Sequence, residues 1–192
     1  MWPAARTDVL AHHDKLTLVL HGDHVTLRAV GRDDVRPLAE LFAVPEVAEW
    51  WPGENEARLE ARLDDADEGV GFVIELDGRL IGFVQYFEED DPNYRHASID
   101  IVLHPDWCNR GLGTDAVRTL CRHLFDDLGH HRVTIDPAVA NARAIASYRK
   151  VGFRDVGVMR RYEQANDGIW RDSLLMDLLA GELTSSPPPP PS

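Results

Sequence analysis

Cys108-Asn109-Arg110-Gly111-Leu112-Gly113-Thr114 joins two stretches of different periodicity. Before it, Ile99 to Leu103 is an apolar run of strand length, broken by one charge, Asp100. After it, Val117, Leu120, Cys121, Leu124 and Leu128 recur at helical spacing, so Leu112 to Leu128 predicts an amphipathic helix. A glycine-rich turn therefore separates a buried strand from the amino end of a helix. Gly111 and Gly113 let the backbone turn tightly and aim several N–H groups one way, and the helix dipole adds partial positive charge. The backbone from Arg110 to Thr114 reads as an anion cradle, suited to a phosphate or pyrophosphate.

Phosphate-binding turns of different kinds compete for this stretch. A P-loop carries Lys and then Ser or Thr after its second glycine, and Thr114-Asp115 supplies no lysine there, which argues against nucleotide hydrolysis. Gly111-Leu112-Gly113-Thr114-Asp115-Ala116 also fits the dinucleotide fingerprint G-x-G-x-x-A, with Asp136 placed after the next strand-like run, Val133 to Ile135. However, the residues from His104 to Arg110 separate the strand from the first glycine, whereas the dinucleotide turn follows its strand directly. The unit also starts about halfway along the chain, leaving too little sequence for a second mononucleotide half. This reading ranks last.

The following segment decides the matter. Asn141-Ala-Arg-Ala144-Ile-Ala-Ser-Tyr148-Arg-Lys150-Val-Gly152-Phe153 predicts a short helix capped by Asn141 and ended by Gly152, with Ala144 and Tyr148 one turn apart on one face. With the R-G-L-G turn it resembles the GCN5-related N-acetyltransferase family. The resemblance implies a mixed α/β fold, with a bent central sheet flanked by helices. It implies acetyl-CoA as co-substrate and no metal. The pyrophosphate would lie on Arg110, Gly111, Leu112, Gly113 and Thr114, and the pantetheine arm along Ile101, Val102 and Leu103. Asn141 and Ala144 would line the same site, and Tyr148 would protonate the departing thiolate. Cys108 stands where many members carry Gln or Arg.

At 192 residues the chain has the length of one ordinary domain, with 44% hydrophobic and 28% charged residues. Residues 1–15 read as an N-terminal extension, 16–183 as a single domain, and the proline run in 184–192 as a disordered or extended tail. Met1 to Lys15 contains no long apolar stretch, so neither a signal peptide nor a membrane span is expected, and the cytoplasm is the expected compartment. Cys108 and Cys121 read as free thiols without metal-site spacing. The net charge of −13, from 33 acids and 20 bases, disfavours nucleic acid and anionic membranes and suits a cationic small molecule.

Leu16 to Leu20 and Val25 to Val30 read as strands, and Asp33 or Asp34 caps a helix through Phe42. Val47 to Pro52 reads as a loop with adjacent Trp50 and Trp51, before a charged helix from Glu54 to Ala66. Asp77-Gly78 marks a hairpin between Gly71–Leu76 and Leu80–Phe87. Phe153 to Met159 and Ser173 to Leu178 read as strands joined through Asn166-Asp167-Gly168.

Transfer of an acetyl group from a thioester to an amine needs a neutral amine, a polarised carbonyl and a proton for the thiolate. Asp100, the lone charge in its strand, reads either as the group receiving the amine's proton or as a partner of Arg95 or Arg132. Asp136 reads equally as a cleft acid and as a loop cap, and turn chemistry alone accounts for Asp167. Of the two tryptophans, one is expected in the core and the other as an exposed platform for a ring or cation.

A narrower resemblance spans Val25 to Leu178. The runs V-A-E-W-W-P-G-E, I-G-F-V-Q-Y-F, S-I-D-I, G-L-G-T, T-I-D-P and N-A-R-A-I-A-S-Y-R-K-V-G-F are similar in order to the aminoglycoside 6'-N-acetyltransferases of the Ib type. That likeness implies that Asp100, Asp136 and Asp167 receive the drug's ammonium groups, with Asp100 as base. It also places Gln85, Trp50 and Trp51 in the acceptor pocket. Phe87 stands where that group carries a tyrosine. Siderophore lysine acyltransferases share the tryptophan region but tend to carry His at the position of Asp100. Leu27-Arg28-Ala-Val-Gly-Arg-Asp-Asp34 also resembles the start of ribosomal-protein N-terminal acetyltransferases. A non-catalytic acyl-CoA-binding module would keep the glycine turn without needing Tyr148. Oligomeric state is not legible in the sequence.

Overall fold

The structure, a computed structural model, describes residues 18–51, 53–64, 69–165 and 167–185. The expected extension and the proline run from 186 onward lie outside the described residues. An 8-stranded sheet has the order β1-β2-β3-β4-β5-β6-β8-β7. Its strands are β1 (Val19–His21), β2 (Thr26–Ala29), β3 (Val70–Leu76), β4 (Arg79–Glu89), β5 (His96–Leu103), β6 (Arg132–Ile135), β7 (Arg154–Gln164) and β8 (Trp170–Leu179). The helices are α1 (Val35–Phe42), α2 (Pro45–Ala48), α3 (Glu56–Asp64), α4 (Leu112–Asp126) and α5 (Ala142–Val151).

β1 to β5 form an antiparallel meander whose β3–β4 turn is the Asp77-Gly78 hairpin, with φ of +50° and +74° at its two residues. Those positive values are what a two-residue turn between right-twisted strands requires. Apolar side chains on the two sheet faces form two cores. On one face Leu120, Cys121 and Leu124 of α4 and Ile145 of α5 pack on Ile99, Ile135 and Met176. On the other, Leu38, Leu41 and Phe42 of α1 pack on Val73, Phe83 and Val102. The fold is the mixed α/β sheet flanked by helices that the sequence led us to expect.

The pairing of β5 with β6 positions the site. It is parallel and consists of Ala97↔Val133 and Ser98↔Thr134 alone. Beyond Ser98, β5 keeps its ladder with β4 as far as Leu103↔Gly82, while β6 pairs with β8 instead. The sheet therefore splays between Asp100–Leu103 and Ile135–Ala138. Among the described residues, the β5 edge facing the splay has no strand partner.

Of the boundaries that differ from the sequence reading, three have a local physical cause. The stretch before the tryptophans contains a short helix, α2, with Pro45 in its first turn, where a preset φ and a missing N–H are harmless. β7 runs to Gln164, well past Met159, because bulges absorb extra residues within it. Thr184, assigned by composition to the tail, is anchored: its hydroxyl donates to the carbonyls of Lys150 and Val151, and its own carbonyl accepts from Arg118 Nε. Among the described residues no helix is long and apolar enough to cross a membrane.

Candidate active site

The splay opens into a cleft of about 1090 Å³. One wall is the free edge of β5, Asp100 to Leu103, and the opposite wall is Ile135 to Ala138 at the end of β6. Pro137 is held back by β8, since Leu174 N–H donates to its carbonyl at 2.8 Å. The glycine turn closes one end. Asn109 and Gly111 have φ of +61° and +80°, which turns the chain sharply into α4. The first amides of that helix have no intrahelical acceptor and point towards the cleft end lined by Asn109, Gly111, Gly113 and Thr114. Thr114 Oγ1 and Ser147 Oγ lie 2.8 Å apart, tying α4 to α5 beside the turn.

Helix α5 lies along the cleft. Asn141 Oδ1 accepts from Ala144 N–H at 3.2 Å, and Gly152, with φ +119°, ends the helix as the C-cap. A Cβ at Gly152 would meet the Glu182 carbonyl at 2.5 Å, so the chain's crossing there requires glycine. Between these caps Asn141, Ala144, Ser147 and Tyr148 line the cleft. Tyr148 is 7% exposed and packs against Phe153. Burial raises the pKa of its phenol, and the carboxylates of Asp100 and Asp136 raise it further, so the hydroxyl stays protonated.

Asp100 sits half-buried on the β5 edge, opposite Gln85 of β4. Gln85 Nε2 donates to Asp100 Oδ2 at 3.1 Å. Burial raises the Asp100 pKa, opposed by the Gln85 hydrogen bond; Asp136 adds to the rise and Arg62 offsets part of it. The proposed ion pairs with Arg95 and Arg132 are not formed. Arg95 donates to the carbonyls of Leu128 and Gly129, and Arg132 pairs with Asp177.

Asp136 faces the same cleft; burial raises its pKa, and the Tyr162 hydroxyl bonded to it opposes the rise. Tyr162 and Glu163 reach the cleft because β7 bulges between Met159 and Glu163, where Arg161 takes φ +50° and its N–H donates to Asp172 Oδ1 at 2.8 Å. Burial, Asp136 and Asp100 all raise the Glu163 pKa. Carboxylates that discourage one another's ionisation in this way make a site that favours added cations.

The helical wall brings Trp50, Trp51, Glu46 and Glu54 to the cleft. Trp51 packs on Phe42 and Phe83, with ring centroids 5.2 and 5.9 Å away, and serves the core as well as the cleft. Trp50 is half-buried at the cleft, not an exposed platform.

The structure does not bring every expected residue here. Asp167 lies in the exposed β7–β8 turn, 2.7 Å from Arg171 Nη2, and takes the Ile169 N–H on its other oxygen. It is outside the cleft lining. Arg110 points its guanidinium over the Trp107 ring, 5.0 Å from the centroid, shared with Arg79 at 5.4 Å. Leu112 turns its side chain into the core at 6% exposure. Gln85, 4% exposed, stands behind Asp100 and does not line the cleft.

Glu46, Glu54, Arg143, Ser147, Tyr162 and Glu163 line the cleft without having been singled out. Ser147 was within reach of the sequence, three residues after Ala144 on a predicted helix. Glu163 was not, because Arg160, Arg161 and Tyr162 carry no glycine or proline to signal a bulge. Among the described residues no group of three or more His, Cys, Asp or Glu is placed to hold a metal ion.

This geometry matches known proteins. The acetyltransferase (GNAT) domain pattern matches residues 24–154. Aminoglycoside N(6')-acetyltransferase type 1 of Klebsiella pneumoniae is 32% identical over 157 residues, covering 71% of this chain and 77% of that protein. Spermidine N(1)-acetyltransferase of Escherichia coli K12 is 27% identical over 158 residues, covering 79% and 84%. Among solved structures, AAC(6')-Ib in complex with ribostamycin and coenzyme A superposes with a TM-score of 0.70 at 28% identity, covering 85% of this chain and 99% of that one. The splayed β5–β6 edge, the glycine turn at the start of α4 and the matched residues together make this chain a member of the GNAT acetyltransferases, an N-acetyltransferase.

Proposed function

We propose that the protein transfers the acetyl group of acetyl-CoA to an amino group of an aminoglycoside, the 6'-amino group, and so confers resistance to the drug. The observation that carries the reading is the carboxylate-lined acceptor side of the cleft, Asp100, Asp136 and Glu163 with Glu46 on the helical wall, while Glu54 is paired with Arg62 at 3.0 Å, in a chain 32% identical to an enzyme of that activity. A polycationic amino sugar has several ammonium groups to offer such a surface.

The cleft fits acetyl-CoA in shape and polarity. Backbone amides of the glycine turn suit its pyrophosphate, and the free β5 edge offers backbone hydrogen bonds to an extended amide-bearing arm. Arg110 lies beside the turn, stacked on Trp107. The thioester would then lie between Asp100 and Tyr148.

In the reaction the acceptor nitrogen attacks the thioester carbonyl carbon, an N–C bond forms, and the C–S bond breaks. Asp100 takes the proton lost by the amine, directly or through water. Its raised pKa makes it a stronger base than an exposed carboxylate. The Tyr148 hydroxyl gives its proton to the leaving sulfur, and burial keeps that hydroxyl protonated until then.

A second reading, a linear polyamine acceptor, is favoured by the 27% identity to a spermidine acetyltransferase and uses the same carboxylates. Release of CoA thiol with kanamycin, tobramycin, spermidine and ribosomal-protein N-terminal peptides separates the two. Turnover on 6'-amino drugs, with at least a hundredfold loss of kcat in Tyr148→Phe and Asp100→Asn, is the expected outcome. Turnover on spermidine alone would replace the acceptor, and unchanged kcat/KM in both variants would overturn the assigned roles.

A further inference from the structure

The structure gives Gln85 no place in the cleft lining, yet its amide is one of the most buried polar groups next to it. Gln85 lies directly opposite Asp100 in the β4–β5 ladder, so both side chains stand on one face of the sheet. Nε2 donates to Asp100 Oδ2, while Oε1 is buried without a hydrogen-bond partner among the described residues. A methionine would fill the same space with no orphaned acceptor, and a buried orphaned acceptor is destabilising. Packing therefore does not account for an amide here.

We propose that Gln85 is the positioning residue for Asp100, holding that carboxyl group through one amide both before and after it takes a proton. With Asp100 anionic, Nε2 donates to it. Once Asp100 has taken the amine's proton, a half-turn of the amide brings Oε1 to accept from the new O–H. The exchange costs no volume, because the amide nitrogen and oxygen have nearly the same size and occupy mirror positions. Asp100 then need not reorient between proton uptake and release. The proposal rests on the reading of Asp100 as proton acceptor.

Other charged or titratable groups face Asp100: Asp136 at the end of β6, Arg62 on α3, Tyr148 on α5, and Tyr162 and Glu163 on β7. They act on it through their fields, and Gln85 acts through the hydrogen bond. Removing a donor that favours the carboxylate moves its titration to higher pH.

The test is the pH profile of kcat/KM for kanamycin, or for spermidine if that is the amine turned over, in Gln85→Met and Gln85→Glu, with Asp100→Asn and the double variant Gln85→Met/Asp100→Asn in parallel. Gln85→Met should lower kcat roughly tenfold to a hundredfold at pH 7, the worth of a hydrogen bond to a charged group. Its acidic limb should move to higher pH, and KM for acetyl-CoA should stay within about twofold, because the β5 backbone is untouched. Gln85→Glu, which sets a second carboxylate beside the first, should move the limb further in the same direction. The double variant should be no slower than Asp100→Asn, since Gln85 works through Asp100. A limb unmoved in both Gln85 variants, while Asp100→Asn abolishes it, overturns the inference alone. Wild-type turnover and profile in Asp100→Asn would instead remove the reading of Asp100 itself.

Discussion

Replacing Gly82 with alanine tests whether the packing of β4 against β5 sets the cofactor edge. Gly82 pairs with Leu103 at the end of β5, the last residue of the strand edge that borders the cleft. A Cβ at this position would lie 2.4 Å from the Val102 carbonyl oxygen and 2.6 Å from Leu103 Cδ2. Real Cβ contacts stay above 3.0 Å, so the nearer atom must retreat by at least about 0.6 Å, and it belongs to the backbone. β4 is held on its other side by β3, leaving β5 to move towards the open cleft. Overpacking of this kind costs about 1–3 kcal/mol, which for a chain this size lowers Tm by roughly 2–12 °C. The displaced edge is the one proposed to hold the pantetheine arm, and a shift approaching 1 Å can cost up to about a hundredfold in rate. Thermal unfolding and steady-state kinetics with acetyl-CoA varied would read both effects. Gly157→Ala, where an added Cβ meets nothing within 4 Å, is the control and should stay within about 0.5 kcal/mol of wild type. A Gly82→Ala protein with wild-type Tm and wild-type acetyl-CoA KM would refute the reasoning.

Two further outcomes follow from the carboxylates. Glu163→Gln should raise KM for a polycationic acceptor about fivefold to thirtyfold and leave KM for acetyl-CoA alone, whereas Asp167→Asn, already paired with Arg171 on an exposed turn, should change acceptor KM by less than about twofold. The reverse ranking would place the acceptor at the turn and not in the cleft. Asp100→Asn should raise Tm at pH 7. A carboxyl group whose folded pKa is raised binds more protons folded than unfolded, so its contribution falls as pH rises from the unfolded value, about 3.9, through the folded one. The gain over wild type should therefore vanish in scans at about pH 3, and a gain of equal size at both pH values would refute the burial argument.

The parts of the site legible in the sequence are those made by local chemistry. The glycine turn, the helix dipole behind it and the Asn141–Gly152 caps require particular residues at fixed short spacings, so they can be read before any tertiary contact is known. The caps place Ala144 and Tyr148 on one helix face, and the family resemblance singled out Tyr148, which the fold brings to the cleft. Asp100 was recovered because a lone charge in an apolar strand demands an account. The remainder depended on long-range geometry. That Glu163 and not Asp167 lines the cleft is decided by a bulge in β7, which has no sequence signal. Arg110 lies next to the turn in sequence, yet its guanidinium is drawn onto Trp107 by a cation–π contact that only the folded loop creates.

The sequence by itself pointed to the family through the order of its motifs, to a glycine turn at the start of a helix and to Asp100 as a lone charge in its strand, and the last two are carried by neighbouring residues whose backbone preferences and hydrogen bonds act over a few positions. Tertiary structure alone decided that β5 and β6 part after Ser98, which acids meet across the gap, and that Gln85 stands behind Asp100. Those relations join residues from separate strands, and strand pairing is fixed by the packing of the whole sheet and not by any one stretch of it.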